Sequence, residues 1–400
     1  MHFLGGIKVE HKKLMILGAS QLQLPAIVKA KEMGLHVIVL DINKNAIGVN
    51  YADEFYEIST IDTESITKKA EELNIDGIMT IATDMPMRAV AAVGEKMGLN
   101  TIDYETAIRA TDKARMRERL LKCNVPIPFF SSIRTYEEFK KVVNSYKGDL
   151  IIKPADSSGS RGVHLLQDRN ELEEVYEYSK KFSRTGEIVV EEYMIGPEVS
   201  VETITIEGIT HIIAITDKLT SGPPYFVEMG HSIPSLLSHD TKENISDVTK
   251  AAISAIGINN SPAHTEIIVT DQGAKVVEIG ARLGGDNITT SLVPLATGID
   301  MVKACIDLAI GNKPHISQKF SKGSAIRYFN SKEGVLSKIE GINKASNNAK
   351  IIMSKSIGDR TSNIRSSVDR IGYVVAYAES AQKAIDICQK TISEIKITID

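Results

Sequence analysis

Two acids stand in a stretch that is otherwise apolar. In "EIIVTDQGAKVVEIGARLGGD", residues 266–286, Glu266 and Glu278 lie in apolar runs joined by "TDQGAK", and Arg282 follows the second acid by four residues. The two runs read as a buried hairpin, and their apolar flanks argue against a solvated acidic face. A second stretch, "IIKPADSSGSRGV", puts Lys153 at a strand end and follows it with Ser157, Ser158, Gly159, Ser160, Arg161 and Gly162. Such small residues let backbone N–H groups approach an anion closely, and the lysine and arginine add positive charge, which suits a polyphosphate. The pattern G-x-x-x-x-G-K-[ST] is absent, because the lysine precedes the loop. On its own the loop reads equally as a turn. A third stretch, "EIVVEEYMIGPEVSVE", runs an apolar strand into "EEYM", a Gly196-Pro197 turn and Glu198. Backbone groups after a strand can meet an adenine edge, and a carboxylate can accept from ribose hydroxyls. Taken alone, the stretch reads as a hairpin with exposed acids.

Composition narrows the partners. The chain has 400 residues, 42% of them hydrophobic. At about 100–200 residues per domain this is enough for roughly two to four domains with a substantial core. A net charge of -4 gives no bulk attraction to nucleic acid or to an anionic membrane. With no tryptophan and 5% aromatics, base stacking is disfavoured. Cys123, Cys305 and Cys388 are far apart and show neither metal spacing nor a disulfide framework. No apolar run approaches the ~20 residues of a membrane span, and "MHFLGGIKVEHKK" lacks an apolar signal core. A cytoplasmic protein acting on small molecules is expected, with neither nucleic acid nor membrane as partner.

The elements that must position these residues follow from periodicity. "KLMILGAS", "HVIVLDIN" and "DGIMTIAT" read as buried strands alternating with the helical "QLPAIVKAKEMGL", "ESITKKAEELNI" and "MRAVAAVGEKMGL". This predicts a parallel, doubly wound sheet over residues 13–100. The turn "GASQLQ" has one glycine where a dinucleotide fingerprint needs three. "TAIRATDKARMRERLLKCNVPIP" predicts one charged helix stopped at Val125-Pro126. The middle of the chain is rich in strands, and a final segment from about residue 321 mixes short strands with the helical "SAQKAIDICQKTI". No internal repeat or low-complexity tract is present.

In order along the chain, "ATDK" with Lys113, "IIKPADSSGSRGV", "VVEEYMIGPEVSVE", "HTEIIV" and "VVEIGARLGGD" resemble the ATP-grasp superfamily of carboxylate–amine ligases. The resemblance covers nearly the whole chain. It implies an α/β fold, α+β in the ATP-grasp core. A parallel-sheet domain would span residues 1–100 and a connecting helix 101–125. A lid would span 126–195 and a large antiparallel-sheet subdomain with the metal site 196–320. A small α+β domain over 321–400 would be like that of the biotin-carboxylase and carbamoyl-phosphate-synthase branch. Carried over residue by residue, Lys113 and Lys153 would contact ATP phosphates, Lys153 also serving the chemistry, and the Ser157–Gly162 loop would close over them. Glu191, Glu192, Tyr193 and Met194 would line the adenine edge, Tyr193 and Met194 through backbone groups, and Glu198 would hold the ribose. Glu266 and Glu278 would bind Mg²⁺, or Mn²⁺ in its place; Mg²⁺ is usually held by one or two carboxylates, with phosphate oxygens and waters. Gly280 stands where many relatives carry Asn, so at least one Mg²⁺ is expected and a second is left open.

"DKLTSGPPYFVEMGHSIPS" resembles, more narrowly, the bacterial L-amino-acid ligases that make dipeptides, the bacilysin synthetase among them. There Glu228 would bind the α-ammonium group, His231 would shape the side-chain pocket, and Arg282, with Gly284 and Gly285, would meet the substrate and assist the chemistry. Without that context Glu228 and His231 read as a surface loop. The resemblance implies phosphoryl transfer to a carboxylate, then attack by an amine on the acyl phosphate. An amino sugar or another amine as acceptor is the alternative, and a non-catalytic ATP-binding protein is a further one. Relatives leave a homodimer open.

Overall fold

The computed structural model describes residues 11–157, 161–344 and 347–400. β1 (Lys13–Leu17), β2 (His36–Leu40), β3 (Glu54–Tyr56) and β4 (Gly77–Met79) form a parallel sheet in the order β3-β2-β1-β4. Alternate residues of β1 enter different cores. Met15 and Leu17 pack with Ile66 and Val90, whereas Leu14 and Ile16 pack with Ile27 and Val302. A parallel strand covered on both faces reads as an unbroken apolar run, as "KLMIL" does. β3 escapes that signal because "EFY" is short and half-buried.

The charged helix expected after this sheet is two helices, Tyr104–Thr111 and Lys113–Lys122. They part at Asp112, whose backbone is extended (φ -129°, ψ 113°) and whose side chain accepts from the Arg115 N–H at 3.0 Å. An acid at this position satisfies an orphan helix donor. The break leaves Lys113 at a helix start, its N–H donating to Ala155 O at 2.8 Å, beside the predicted phosphate loop.

β5 (Phe130–Ile133), β6 (Leu150–Pro154), β7 (His164–Leu166) and β8 (Ile188–Glu192) make an antiparallel sheet in the order β5-β8-β6-β7. Phe139, Ile152, Tyr176 and Val190 give it a core of its own. The larger sheet takes β9 (Glu198–Ile206), β10 (Ile209–Thr220), β11 (Glu228–Ile233), β12 (Ser261–Thr270) and β13 (Gly273–Gly280). The last segment adds β14 (Gly323–Tyr328), β15 (Gly334–Glu340), β16 (Ala349–Met353), β17 (Arg360–Thr361), β18 (Gly372–Ala378) and β19 (Lys396–Ile399). The order is β13-β12-β9-β10-β11-β14-β18-β16, with β17-β15-β19 separate. The segment after residue 321 thus both extends the large sheet and builds a second one. Val201 of β9 and Ile267 of β12 share a core with Met15 of the N-terminal sheet, so these two parts pack as one. No helix among the described residues is long and apolar enough to cross a membrane.

Candidate active site

The β12–β13 register sets Glu266 directly opposite Glu278. Opposed residues of an antiparallel pair point to one face, and both acids line a cleft of about 180 Å³ walled by the β5-β8-β6-β7 sheet and the large sheet. Lys113, Lys153, Ser157, Glu191, Glu192, Tyr193, Met194, Glu198 and Glu228 line the same cleft.

Three ionic clusters organise it. Lys113 Nζ donates to Glu278 Oε1 at 2.7 Å and to Ser157 O at 2.8 Å. Burial would lower the Lys113 ammonium, but Glu278 holds it above its usual value. In the second cluster Lys218 Nζ lies 2.5 Å from Glu198, 3.3 Å from Glu266 and 3.8 Å from Glu228, with its side chain 4% exposed. Burial opposes that ammonium, yet Glu266, Glu198 and Glu228 together raise it. Burial would likewise raise the Glu266 carboxyl, but Lys218 and His264 hold it well below the carboxylate range. Glu198 goes the other way: burial, aided by the Glu266 charge, outweighs Lys218 and lifts it. In the third cluster Arg117 grips Glu191 at 2.7 and 3.2 Å, and Lys153 Nζ reaches it at 2.6 Å. Burial pushes Glu191 up, yet Arg117 and Lys153 bring it down to about 2. Burial, reinforced by Arg117 and Lys113, keeps Lys153 below its usual value despite Glu191.

Several residues differ in use from the expectation. Both Glu191 oxygens are committed to cations, so its carboxylate anchors Lys153 rather than presenting a free edge to a base. The Tyr193 N–H donates to Asp149 O at 3.1 Å and is already spent. Glu192 pairs with Lys275 at 3.4 Å. Arg282 is not among the lining residues; its Nε and Nη2 hold Asp84, in the loop after β4, at 2.8 and 2.9 Å. Gly280 has a reason there: a Cβ would stand 2.5 Å from Asp84 Oδ1, so Asp84 takes the room a larger residue would need. A Cβ on Gly284 would come within 2.6 Å of His264 Nδ1 and 2.8 Å of Glu202 Oε1. Gly284 therefore covers the Glu202–His264 pair, which is 2.5 Å apart, rather than facing the cleft. Gly285 also lies outside the cleft lining, against Ala82.

His231 is buried, and its Nε2 stands 3.5 Å from Asp286 Oδ2 without hydrogen-bond geometry. Asp286 instead grips Arg370 at 2.7 and 2.8 Å, and Arg370 Nη1 donates to Glu228 O at 3.0 Å. Gly162 O accepts from the Ser179 hydroxyl at 2.6 Å. Ser158, Gly159 and Ser160 lie outside the described residues.

The acids suit a hard divalent cation. Glu266 is ionised, both carboxylates face the cleft, and each has a lysine ammonium beside it that offsets its charge. Gly280 offers no amide oxygen in the Asn position, and Asp84 fills that space while bound to Arg282.

Sequence reasoning missed Arg117, Asp84, the Glu202–His264 pair and Arg370, and it reads Lys218 equally as a phosphate contact or an ordinary exposed lysine, whereas Lys218 is buried among three acids. Arg117 follows Lys113 by four positions, which places both on one helix face. Asp84 follows a parallel strand at its carboxyl end, where open α/β sheets bind ligands. The Lys218 role needs the strand register, and the Arg370 role needs the tertiary fold.

Comparison with known proteins agrees with this architecture. Residues 146–290 match the ATP-grasp domain, and residues 327–400 match the L-amino acid ligase C-terminal domain 2. An uncharacterised protein of Sinorhizobium fredii, y4rH, is 30% identical over 92% of this chain and 79% of its own length. The alanine–anticapsin ligase of Bacillus subtilis is 27% identical over 61% of this chain, and the match spans 56% of that enzyme. The crystal structure of an L-amino acid ligase from Bacillus licheniformis superposes with a TM-score of 0.83 at 23% identity, covering 98% of this chain and 99% of that one, which shows a shared fold. The strands that place Glu266 opposite Glu278 fall inside the matched domain, and this chain belongs to the ATP-grasp ligases.

Proposed function

We propose that this protein joins a carboxylate to an amine at the expense of ATP, with Mg²⁺ at Glu266 and Glu278 and an L-amino acid among its substrates. The observation that carries the reading is the in-register pair of acids on a cleft wall that also bears Lys113, Lys153 and Lys218. Lys113 and Lys153 supply fixed positive charge for the ATP phosphates, Lys153 being oriented by Glu191 and Arg117. When bound, Mg²⁺ neutralises phosphate charge and polarises the phosphoryl group being transferred. A substrate carboxylate oxygen takes the γ-phosphoryl group and ADP leaves. The amine nitrogen then attacks the acyl carbon, the bond to the phosphate oxygen breaks, the nitrogen gives up a proton to the departing phosphate, and an amide forms. Arg282 would serve phosphoryl or acyl-phosphate oxygens only after Asp84 releases its Nε–Nη2 edge, which that carboxylate occupies. Of the three acids around Lys218, Glu228 is held most loosely, at 3.8 Å, which leaves it able to accept an ammonium group. The independent core of the lid suits closure that keeps water from the activated acid. The relation to an alanine–anticapsin ligase supports an amino acid as one partner.

The test is phosphate release from ATP and Mg²⁺ with L-amino acids, singly and in pairs, with product masses measured. A mass equal to two amino acids less water establishes peptide ligation. Release without a condensed amino-acid product directs the search to an amino sugar or another amine. No release with any amino acid refutes the proposal of an amino-acid substrate.

A further inference from the structure

A second cleft, of about 540 Å³, lies behind the strands that wall the first, and the two have no lining residue in common. Strand register fixes the relation. Lys218 opposes His231, and His231 opposes Ile326, so these share one face of β10, β11 and β14. Leu219 opposes Gly230, and Gly230 opposes Arg327, on the other face. Leu219 and Arg327 line the second cleft, Ile364 and Ile392 give it an apolar wall, and Asn330 adds a polar group.

Arg327 is the unexplained feature. Its side chain lies flat over Gly230, where a Cβ would meet Arg327 Cδ at 2.7 Å and Nη1 at 2.8 Å. Nη1 donates to His231 O at 3.0 Å and to Ile326 O at 2.8 Å. Nε is buried with no hydrogen-bond partner. Arg117, Arg282 and Arg370 each hold a carboxylate, whereas Arg327 forms no ion pair among the described residues, and the cleft lining contains no Asp or Glu. Burial accordingly lowers the guanidinium, with Cys388 and Asp217 offsetting it only in part. With Nη1 spent on backbone carbonyls and Nε sealed off inside the protein, Nη2 is the donor left to meet a carboxylate oxygen.

We infer that this cleft binds a small aliphatic carboxylate, its charged end on Arg327 and its hydrocarbon body along Leu219, Ile364 and Ile392. Because Nη1 is bonded to the backbone of His231, the occupant stands back to back with the candidate substrate pocket.

The test is calorimetric titration of the full chain with 4-methylpentanoate. Saturable binding is expected, and the corresponding amide, 4-methylpentanamide, should bind at least about tenfold more weakly. Arg327→Gln should weaken 4-methylpentanoate binding by a similar factor. Leu219→Glu puts a competing acid on the same face at a position 48% exposed, where folding tolerates it, and should do the same. If Arg327→Gln does not fold, Leu219→Glu decides. The inference is overturned by absence of binding, by equal binding of the amide, or by binding that survives both substitutions. It is equally overturned if Lys218→Met alone abolishes binding, which assigns the carboxylate to the first cleft, or if inorganic phosphate binds Arg327 as tightly, which makes it a general anion site. These readouts are independent of ATP turnover, so their failure leaves the ligase proposal standing.

Discussion

Lys218→Met removes the ammonium shared by Glu198, Glu266 and Glu228 and leaves three neighbouring carboxylates without it. Breaking a buried ion pair from one side costs about 3–5 kcal/mol, because the remaining charge is uncompensated. The acids here are 24%, 25% and 29% exposed, so water screens them in part and the lower end applies, about 3 kcal/mol. Protonating the acids relieves their mutual repulsion, so the deficit should shrink as pH falls from about 8 to about 5. The measurement is urea unfolding of wild type and variant followed by far-ultraviolet circular dichroism at both pH values, since the chain has no tryptophan to report by fluorescence. Mg²⁺ with a non-hydrolysable ATP analogue should recover more stability in the variant than in wild type, because a cation at Glu266 replaces lost charge. A deficit under about 1 kcal/mol, the range of exposed pairs, or a deficit that grows on acidification, would refute the account of this cluster.

Glu278→Ala should lower ATP turnover roughly 100–1000-fold, the scale of losing a preorganised electrostatic group, at any Mg²⁺ concentration; near-normal steady-state turnover rules out its metal role. Glu228→Ala should raise KM for the amino acid roughly tenfold or more through loss of a charge-assisted contact, with KM for ATP little changed, and the reverse pattern removes the ammonium assignment. Gly280→Asn should destabilise by about 1–3 kcal/mol through overpacking against Asp84, seen as a lower urea midpoint; an unchanged midpoint contradicts the close approach of Asp84. His264, buried beside Glu202, has its pKa raised from 6.5 to about 9, burial opposing and Glu202 and Glu266 prevailing. A raised folded-state value means the stabilisation is complete below 6.5 and is lost as pH rises through about 9. Wild-type stability should fall by up to about 3 kcal/mol across that window, and His264→Gln should flatten the profile; a flat wild-type profile disproves the coupling.

The parts of the site readable in the sequence are those whose signal is local. Glu266 and Glu278 stand out because apolar neighbours flank them within single strands, and a short turn brings the strands together. Lys153 stands out because it ends one apolar strand before a run of small residues. What sequence could not give is partnership at long range. Asp84 and Arg282 are 198 positions apart, and neither stretch hints at the other. Arg370 lies 142 positions beyond Glu228, whose carbonyl it holds. Lys218 looks like an ordinary strand lysine until register sets it opposite His231 and three acids converge on it. The break at Asp112 was hidden for another reason: a charged stretch with good helix formers on both sides masks one residue whose side chain caps the second helix.

β11 is bonded to β14 through four pairings, from Gly230 with Arg327 to Ile233 with Ser324. The strand that carries Glu228 and His231 is therefore an interior strand because the segment after residue 321 folds back onto it. A chain interrupted before Gly323 would leave β11 as an open edge of unpaired N–H and C=O groups, a template for sticking to other molecules. It would also release Asp286 and the Glu228 carbonyl from Arg370. The final fifth of this protein is thus no detachable cassette but the selvedge that keeps the cleft-facing fabric from fraying.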